Sequence, residues 1–266
     1  MRRDRRQFLG LAAFALCSAF VGPASGQTPP PHPNKKTFQS GDFLWPKEPG
    51  TYVPYNAGSH NSYEADRNQW ERERNAFLKS VPEATRTREE EQLARSIRGL
   101  TFREFQAGFT GTTPPNEPTP FGRGAGAVAV GHVAIVEIDP AGQIWIIEAM
   151  PTPGVSRLPY DKWVAQRADQ LIWHGRLRER SPADRAKIAV EAKRFIGKPY
   201  DFWNFKLDDD KGFYCSKLAW LATYKAVQVA LDGDPSTARL RWISPKQILQ
   251  ANTITRLHNP GDYARQ

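Results

Sequence analysis

The feature that most constrains the fold is a pair of apolar, β-rich segments joined by a tight turn. The first segment is AVAVGHVAIVEI, from Ala127 to Ile138; it is followed by the turn DPAG and by QIWIIEAM, which ends at Met150. Proline at the second position of DPAG and glycine at the fourth are typical of a type I turn with Gly142 in the left-handed bulge position. The sequence therefore predicts an antiparallel β-hairpin here.

This turn also fixes the register of the predicted hairpin. Asp139 would pair with Gln143, and Ala134 would lie opposite Glu148. His132 and Glu148 would then be diagonal neighbours on one face of the hairpin, within reach of a long carboxylate side chain. A slip by one residue would send these two side chains to opposite faces.

Helix and strand signals lie on both sides of the hairpin. Apolar residues at helical spacing, together with capping residues, predict five helices, and two further strands are expected from short β-rich segments. The helices are expected at 64–81, 88–98, 101–108, 181–196 and 215–231, and the strands at 40–45 and 170–178. Two stretches rich in glycine and proline, 109–126 and 151–163, are expected to be loops.

The N-terminal residues have the pattern of an export signal. A segment with four arginines precedes an apolar run from Leu11 to Val21, and small residues follow before Gln27. The pair Arg5-Arg6 resembles the twin-arginine type, which directs folded proteins to a receptor-read export machinery. We therefore expect a periplasmic or secreted protein that uses this machinery. The expected boundaries are 1–26 for a twin-arginine-type signal peptide, 27–36 for a proline-rich linker and 37–266 for the mature domain.

The charge balance favours some partners and argues against others. The formal net charge is +9, and the expected signal peptide contains four arginines and one aspartate, so about +6 remains on the mature chain. A basic exported protein suits an anionic envelope surface. Lysine and arginine are scattered among carboxylates, without a basic arm or a recognition motif, so we expect no nucleic-acid partner.

Only one cysteine remains once the expected signal peptide is removed. Cys17 lies within that peptide, and Cys215 lies in the segment FYCSKLAW, at the start of the last long helix. A single cysteine excludes an internal disulfide, and it gives no zinc-binding spacing with the scattered histidines. The acidic run 208–210 lacks the pattern of a calcium loop, so we expect no metal and no cofactor. Cys215 is therefore either a buried structural residue or a nucleophile.

The position of Cys215 suits a nucleophile. Unpaired backbone N–H groups at a helix N-terminus stabilise a thiolate, and they can also receive the oxyanion of a tetrahedral intermediate. His132 on one strand of the hairpin and Glu148 on the other add a base and an orienting carboxylate. His174, on the strand expected at 170–178, is the rival base.

Five segments of the chain resemble the circularly permuted papain-fold hydrolases of the YiiX/YebB type, relatives of the NlpC-type cell-wall peptidases. In chain order they are SGDFLW, GHVAIVE, IIEAM, KPYDFWNF and FYCSKLAW. In that group the catalytic histidine precedes the cysteine, as it does here. The resemblance implies an α+β, circularly permuted papain-like (NlpC-like) fold with an antiparallel sheet packed on helices. Residues 56–108 are not covered by the resemblance, so a helical insertion is expected at about 56–126.

The resemblance also assigns roles to individual residues. Carried over by position, Cys215 would be the nucleophile, His132 the general base and Glu148 the residue that orients the imidazole. The substrate-binding residues expected along the cleft are Tyr200, Asp201, Tyr214 and Asp42.

The function implied is a thiol-dependent amidase or peptidase that cleaves an amide bond, with the peptidoglycan stem peptide as the leading substrate. Two alternatives remain open. One is a lipid acyl hydrolase or acyltransferase of the lecithin:retinol acyltransferase type, which the positive charge and the aromatic residues would suit, although no clear amphipathic membrane helix is present. The other is a non-catalytic module that retains the cleft and binds an envelope component.

Overall fold

The computed structural model describes residues 30–47, 63–80, 83–104 and 131–263, the last range without 203, 205, 236, 238–242 and 262. The expected signal peptide, the first residues of the linker and the predicted loop at 109–126 lie outside the described residues. The first four residues of the predicted hairpin, 127–130, also lie outside them.

A six-stranded antiparallel sheet lies at the centre of the described chain. Its strand order is β4-β3-β2-β1-β5-β6, and all neighbouring strands are antiparallel. The strands are β1 (Phe43–Lys47), β2 (Ala134–Ile138), β3 (Ile144–Met150), β4 (Gly154–Pro159), β5 (Leu171–Leu177) and β6 (Ile254–His258). The expected combination of helices with an antiparallel sheet is thus present.

The hairpin formed by β2 and β3 has the predicted register. Ile135 pairs with Ile147, and the Asp139 N–H donates to the Gln143 carbonyl at 3.0 Å. Gly142 has a φ of +79°, which is the left-handed conformation that the turn requires. Continued by one residue, this register places Ala134 opposite Glu148, so the prediction for the hairpin is confirmed.

Six helices accompany the sheet within the described residues. They are α1 (Tyr63–Ser80), α2 (Arg88–Arg98), α3 (Tyr160–Ala165), α4 (Pro182–Lys193), α5 (Cys215–Val227) and α6 (Pro245–Gln250). The first two lie between β1 and β2 in the chain, although these two strands are hydrogen-bonded neighbours. A further helical turn begins after Thr101, whose backbone N–H and hydroxyl both donate to the Glu104 carboxylate, so the predicted capping box is present.

Apolar side chains cover both faces of the sheet. Phe43 and Trp45 point into the larger core cluster, together with residues of α4 and α5. Leu44 points into a second cluster with Tyr160 and Trp163 of α3. This alternation is the period of two expected for a strand, and burial on both faces explains why the hairpin segments are apolar throughout.

The structure corrects the prediction of a loop at 151–163. Residues 154–159 form β4, which pairs along β3 from Met150 to Trp145, and α3 begins at Tyr160. The prolines and the glycine of this stretch suggested irregular chain. β4 is an edge strand, however, and Pro159 stands at its end, where a missing N–H costs no sheet hydrogen bond.

The C-terminal elements also differ from the predictions. α4 ends at Lys193 and α5 at Val227, three and four residues before the predicted ends; Gln228 follows α5 in the left-handed conformation. The short helix α6 and the edge strand β6 were not predicted. β6 is mostly exposed, so it lacks the apolar alternation that reveals a strand, whereas α6 carries an overlooked capping box of Ser244 and Gln247.

Candidate active site

Cys215 is the first residue of α5 and lies at the edge of the larger core. Tyr214 precedes it in an extended conformation and provides no side-chain cap, so backbone N–H groups at this helix end have no side-chain partner from the N-cap. The preceding residue, Phe213, is held by backbone hydrogen bonds to Pro199 and Asp201. The segment before the cysteine is therefore fixed, while Cys215 itself stays half-buried.

His132 lies immediately before β2 and contacts both predicted partners. Its Nε2 lies 2.8 Å from Oε2 of Glu148, and its ring also hydrogen-bonds to Cys215. Since Glu148 takes Nε2, Nδ1 is the nitrogen left for the sulfur. Burial lowers the pKa of His132, but the charge and hydrogen bond of Cys215 and those of Glu148 outweigh burial and raise the pKa to about 9.

The thiol of Cys215 is shifted in the opposite direction. Burial raises its pKa, but the charge and hydrogen bond of His132, the Val133 backbone N–H and the Ser216 hydroxyl together lower it below its usual value. An imidazole with a raised pKa beside a thiol with a lowered pKa is the signature of a thiolate–imidazolium pair. The sulfur is therefore prepared for nucleophilic attack.

Glu148 is buried and receives three hydrogen-bond donors. Besides His132, Nε1 of Trp163 donates to Oε2 at 2.8 Å, and Nη2 of Arg167 lies 3.2 Å from Oε1 and 3.1 Å from Oε2. Burial raises the pKa of this carboxyl, but His132, Arg167 and Trp163 lower it to about 2. Glu148 is thus ionised at neutral pH, and it holds the imidazole by Nε2.

Two residues that hold Glu148, Trp163 and Arg167, were missed by the sequence analysis. The Arg167 guanidinium lies 4.4 Å from the centre of the Trp163 ring, and its Nη1 donates to the Trp163 carbonyl at 3.1 Å. Trp163 lies in α3, which begins within the stretch predicted to be a loop, and Arg167 lies in the turn that follows α3. The spacing of four residues between tryptophan and arginine is the signal that would have placed them on one side of a helical turn.

The structure brings Tyr200 to the site, and it places Asp201 and Tyr214, two other residues expected along the cleft, next to Tyr200. Tyr200 forms a parallel bridge with Phe213, and burial together with the nearby Cys215 charge raises the pKa of its phenol. Asp201 packs against Gly212, where a Cβ would lie 2.5 Å from the Cβ of Asp201. Tyr214 is buried, and its hydroxyl accepts the Ile243 N–H at 3.2 Å, so its phenol is engaged in a structural contact.

The structure does not bring Asp42 to the cleft. This carboxylate is 0% exposed and accepts hydrogen bonds from the Gln39 N–H at 2.8 Å, from His174 Nε2 at 2.8 Å and from the Arg176 guanidinium at 2.6 and 2.8 Å. Asp42 lies on the same side of the sheet as Leu44, where it meets His174 and Arg176 of the neighbouring strand β5. The same contacts occupy His174, which is itself buried, so the rival base is committed to a structural hydrogen bond.

Lys217 lies two residues after Cys215 on α5, and its charge is paired within the structure. Its side chain is fully buried, and Nζ donates to Asp209 at 3.0 Å. Asp209 also accepts from Asn204 at 2.7 Å, which ties the acidic loop to the helix. The acidic run therefore has a structural contact, and the described part of the chain shows no cluster of three or more metal-ligating side chains.

Papain-like cysteine hydrolases combine two parts in their active site. One is a thiol at the start of a helix, and the other is a histidine that lies on the facing sheet and is hydrogen-bonded to a second polar side chain. This chain has both, and it is a thiol-dependent hydrolase of that class. Residues 124–253 match the family described as permuted papain-like amidase enzyme, YaeF/YiiX, C92 family. The matched residues make up just under half of the chain, and this similarity confirms the resemblance expected from the sequence.

The comparison with solved structures finds the metalloprotein yiiX from Escherichia coli O157:H7. It shares 16% sequence identity, has a TM-score of 0.44, and the match covers 83% of this chain and 96% of that chain. No curated protein matches this chain.

Proposed function

We propose that the protein is an exported cysteine amidase that cleaves an amide bond in a cell-wall peptide. The observation that carries this proposal is the continuous hydrogen-bonded path from Cys215 through His132 to Glu148, with 2.8 Å between the imidazole and the carboxylate. The opposite pKa shifts of the thiol and the imidazole support a charged pair at neutral pH. Assignment of the amide bond follows from the match to an amidase family.

The reaction would begin with attack of the Cys215 thiolate on the carbonyl carbon of the substrate. The Cys215 backbone N–H, at the start of α5, donates to the oxyanion that forms. When the tetrahedral intermediate collapses, the bond from carbon to nitrogen breaks, and His132 gives its Nδ1 proton to the leaving amine. A thioester joins the acyl group to Cys215, and the free amine departs.

Water then releases the acyl group. His132, now neutral, takes a proton from the water as it attacks the thioester carbon, and the second intermediate expels the sulfur as a thiolate. The product carboxylic acid departs, and the imidazolium is restored. Throughout the reaction Glu148 accepts a hydrogen bond from the Nε2–H group of His132 and does not itself take the proton. This contact keeps Nδ1 directed at the sulfur and stabilises the positive charge of the ring.

An envelope substrate is favoured by two features of the sequence. The N-terminal twin-arginine pattern predicts export, and the net charge of about +6 on the mature chain suits association with anionic wall polymers. Stem peptides of peptidoglycan offer amide bonds in that compartment.

None of the described helices is both long and apolar enough to cross a membrane.

The direct test is product formation by the purified protein. Incubation with muropeptides and, separately, with phospholipid vesicles is followed by mass spectrometry. We expect a cleaved muropeptide, no lipid product, and complete loss of the product in Cys215→Ala and His132→Ala. His258→Gln, a half-buried histidine on β6, is the matched control and should retain activity.

Two other results would replace the proposal. Release of fatty acid from the vesicles, lost in Cys215→Ala, would establish lipid acyl chemistry. Binding of muropeptides without any product from either substrate would establish a non-catalytic module.

A further inference from the structure

The C-terminal segment of the described chain ends against the catalytic histidine. Tyr263 is 4% exposed, and its hydroxyl lies beside Gly131, the residue before His132. A Cβ at Gly131 would lie 1.6 Å from this hydroxyl, and Gly131 has a φ of +62°. Only glycine meets both requirements, the left-handed conformation and the close approach of the phenol.

Tyr263 is held in place by the sheet. Nε1 of Trp173 donates to the Asn259 side chain at 2.7 Å and to the Gly261 carbonyl at 3.1 Å. The Trp173 ring also meets the Tyr263 ring edge to face at 4.8 Å, and Lys47 donates to the Tyr263 carbonyl at 3.0 Å. Strands β1 and β5 therefore anchor the segment that delivers this phenol to the site.

The hydroxyl of Tyr263 has an unusual environment. It is buried, and none of the described residues forms a hydrogen bond of ideal distance and angle with it. The His132 backbone N–H makes a weaker contact with its oxygen. Burial and the nearby Cys215 charge raise the pKa of this phenol, so it stays neutral. Buried polar groups in native proteins are nearly always hydrogen-bonded, so a phenol with a single weak contact at this position points to a role.

We propose that Tyr263 is a positioning residue of the active site. Its hydroxyl oxygen accepts the His132 backbone N–H. The contact fixes the segment 131–133, which carries the imidazole and also the Val133 N–H that reaches the Cys215 sulfur. The inference rests on the roles proposed for Cys215 and His132.

This residue lies outside the part of the chain that defines the family. The match ends at residue 253, ten residues before Tyr263. The C-terminal segment thus adds a contact to the site that the family match does not assign.

The test is the pH dependence of Cys215 alkylation by iodoacetamide between pH 4 and 10, in the unaltered protein and in Tyr263→Phe. Phenylalanine keeps the ring and its packing on Trp173, so the variant should remain folded, which a thermal melt checks. We expect the midpoint of the reactive thiolate to rise by about one pH unit, which is about a tenfold slower reaction at any pH below both midpoints. Tyr224→Phe, whose ring stacks on Trp220 in the same helix as Cys215, is the control and should titrate like the unaltered protein.

A second variant perturbs the same contact from the other side. Gly131→Ala places a methyl group where the hydroxyl lies, and its midpoint should rise in the same direction. If Tyr263→Phe titrates like the unaltered protein, the hydroxyl has no positioning role and the inference is overturned, while the proposed function stands. If the unaltered protein titrates near pH 8.5, as His132→Ala should, the cysteine–histidine pair itself is absent and both proposals fail.

Discussion

The guanidinium of Arg167 reaches both carboxylate oxygens of Glu148, at 3.1 and 3.2 Å, from a position 4.4 Å above the Trp163 ring. This contact completes a row of four charges: guanidinium, carboxylate, imidazolium and thiolate. Positive and negative groups alternate along the row and sum to zero. A buried charge is tolerated only when it is paired and hydrogen-bonded, so Arg167 helps His132 and Trp163 to keep Glu148 ionised.

Replacement of Arg167 by methionine should therefore weaken both the fold and the site. The substitution keeps an apolar stem over Trp163 but leaves the Glu148 charge with two donors, so the pKa of Glu148 should rise. We expect a loss of stability of about 3 kcal/mol in a denaturant titration, as for other broken buried pairs, and at least a tenfold drop in kcat/KM.

The control for this variant is Arg194→Met, which breaks the exposed pair of Arg194 with Glu191. An exposed pair contributes about 0–1 kcal/mol, so this variant should behave nearly like the unaltered protein. Equal effects of the two substitutions would contradict a special role of Arg167.

Glu148→Gln isolates the charge of the carboxylate from its shape. The amide still reaches His132 but no longer stabilises a positive ring, so the pKa of His132 should fall from about 9. The midpoint of the Cys215 thiolate should rise as a result, and kcat/KM should drop about 100-fold, the lower end of what acid–base groups contribute. The alkylation profile of Cys215 measures the first effect, and amide turnover measures the second.

Glu137→Gln is the matched control for that substitution. Glu137 is an equally buried carboxylate on β2, where it pairs with Arg157 at 2.6 Å and Lys193 at 2.8 Å. Its loss should lower the melting temperature without moving the thiol titration. A shift of the thiol midpoint in Glu137→Gln as large as in Glu148→Gln would show that general destabilisation, and not the orienting charge, controls the nucleophile.

The activity should have a bell-shaped dependence on pH. The reactive form carries a thiolate and an imidazolium, so kcat/KM should rise as the thiol loses its proton, well below the usual pKa of a cysteine. It should fall again as His132 loses its proton, with an apparent pKa of about 9. Rates of amide cleavage measured from pH 4 to 10 would give both limbs; a single rise near 8.5 without a later fall would contradict the charged pair.

Export should depend on the paired arginines of the N-terminal segment. Conversion of Arg5 and Arg6 to lysines keeps the charge but removes the residues that the twin-arginine machinery reads. In a bacterial host with that machinery, we expect the unaltered chain in the periplasm and the variant in the cytoplasm, as measured by fractionation. Periplasmic recovery of both forms would point to another export route.

The sequence predicted those parts of the site that rest on local signals. The turn DPAG determined the hairpin register, and hence the approach of His132 to Glu148. The apolar stripe after FYCS placed Cys215 at a helix start, which is where α5 begins. Both signals act over a few residues, where backbone sterics and capping dominate.

The residues that were missed depend on contacts between distant parts of the chain. Arg167 and Trp163 became partners of Glu148 only through α3 and the turn after it, which follow the edge strand β4. Tyr263 reaches Gly131 across more than half of the described chain, through a segment anchored by Trp173. Asp42 shows the opposite error, because its place beside a strand motif did not reveal which side of the sheet its carboxylate faces.

The position of β1 determines the order in which the sheet can assemble. Phe43 pairs with Ile135 on one side and with Gly175 on the other, so this strand has no partner close to it in the chain. The consecutive strands β2, β3 and β4 can associate early, since their connections are short, whereas pairing of β1 must close two long loops. During synthesis β1 leaves the ribosome before the other described strands, but it stays unpaired while the residues between it and β2, about a third of the chain, are made. A protein exported in the folded state would therefore become competent for transport only after its earliest strand has inserted between β2 and β5.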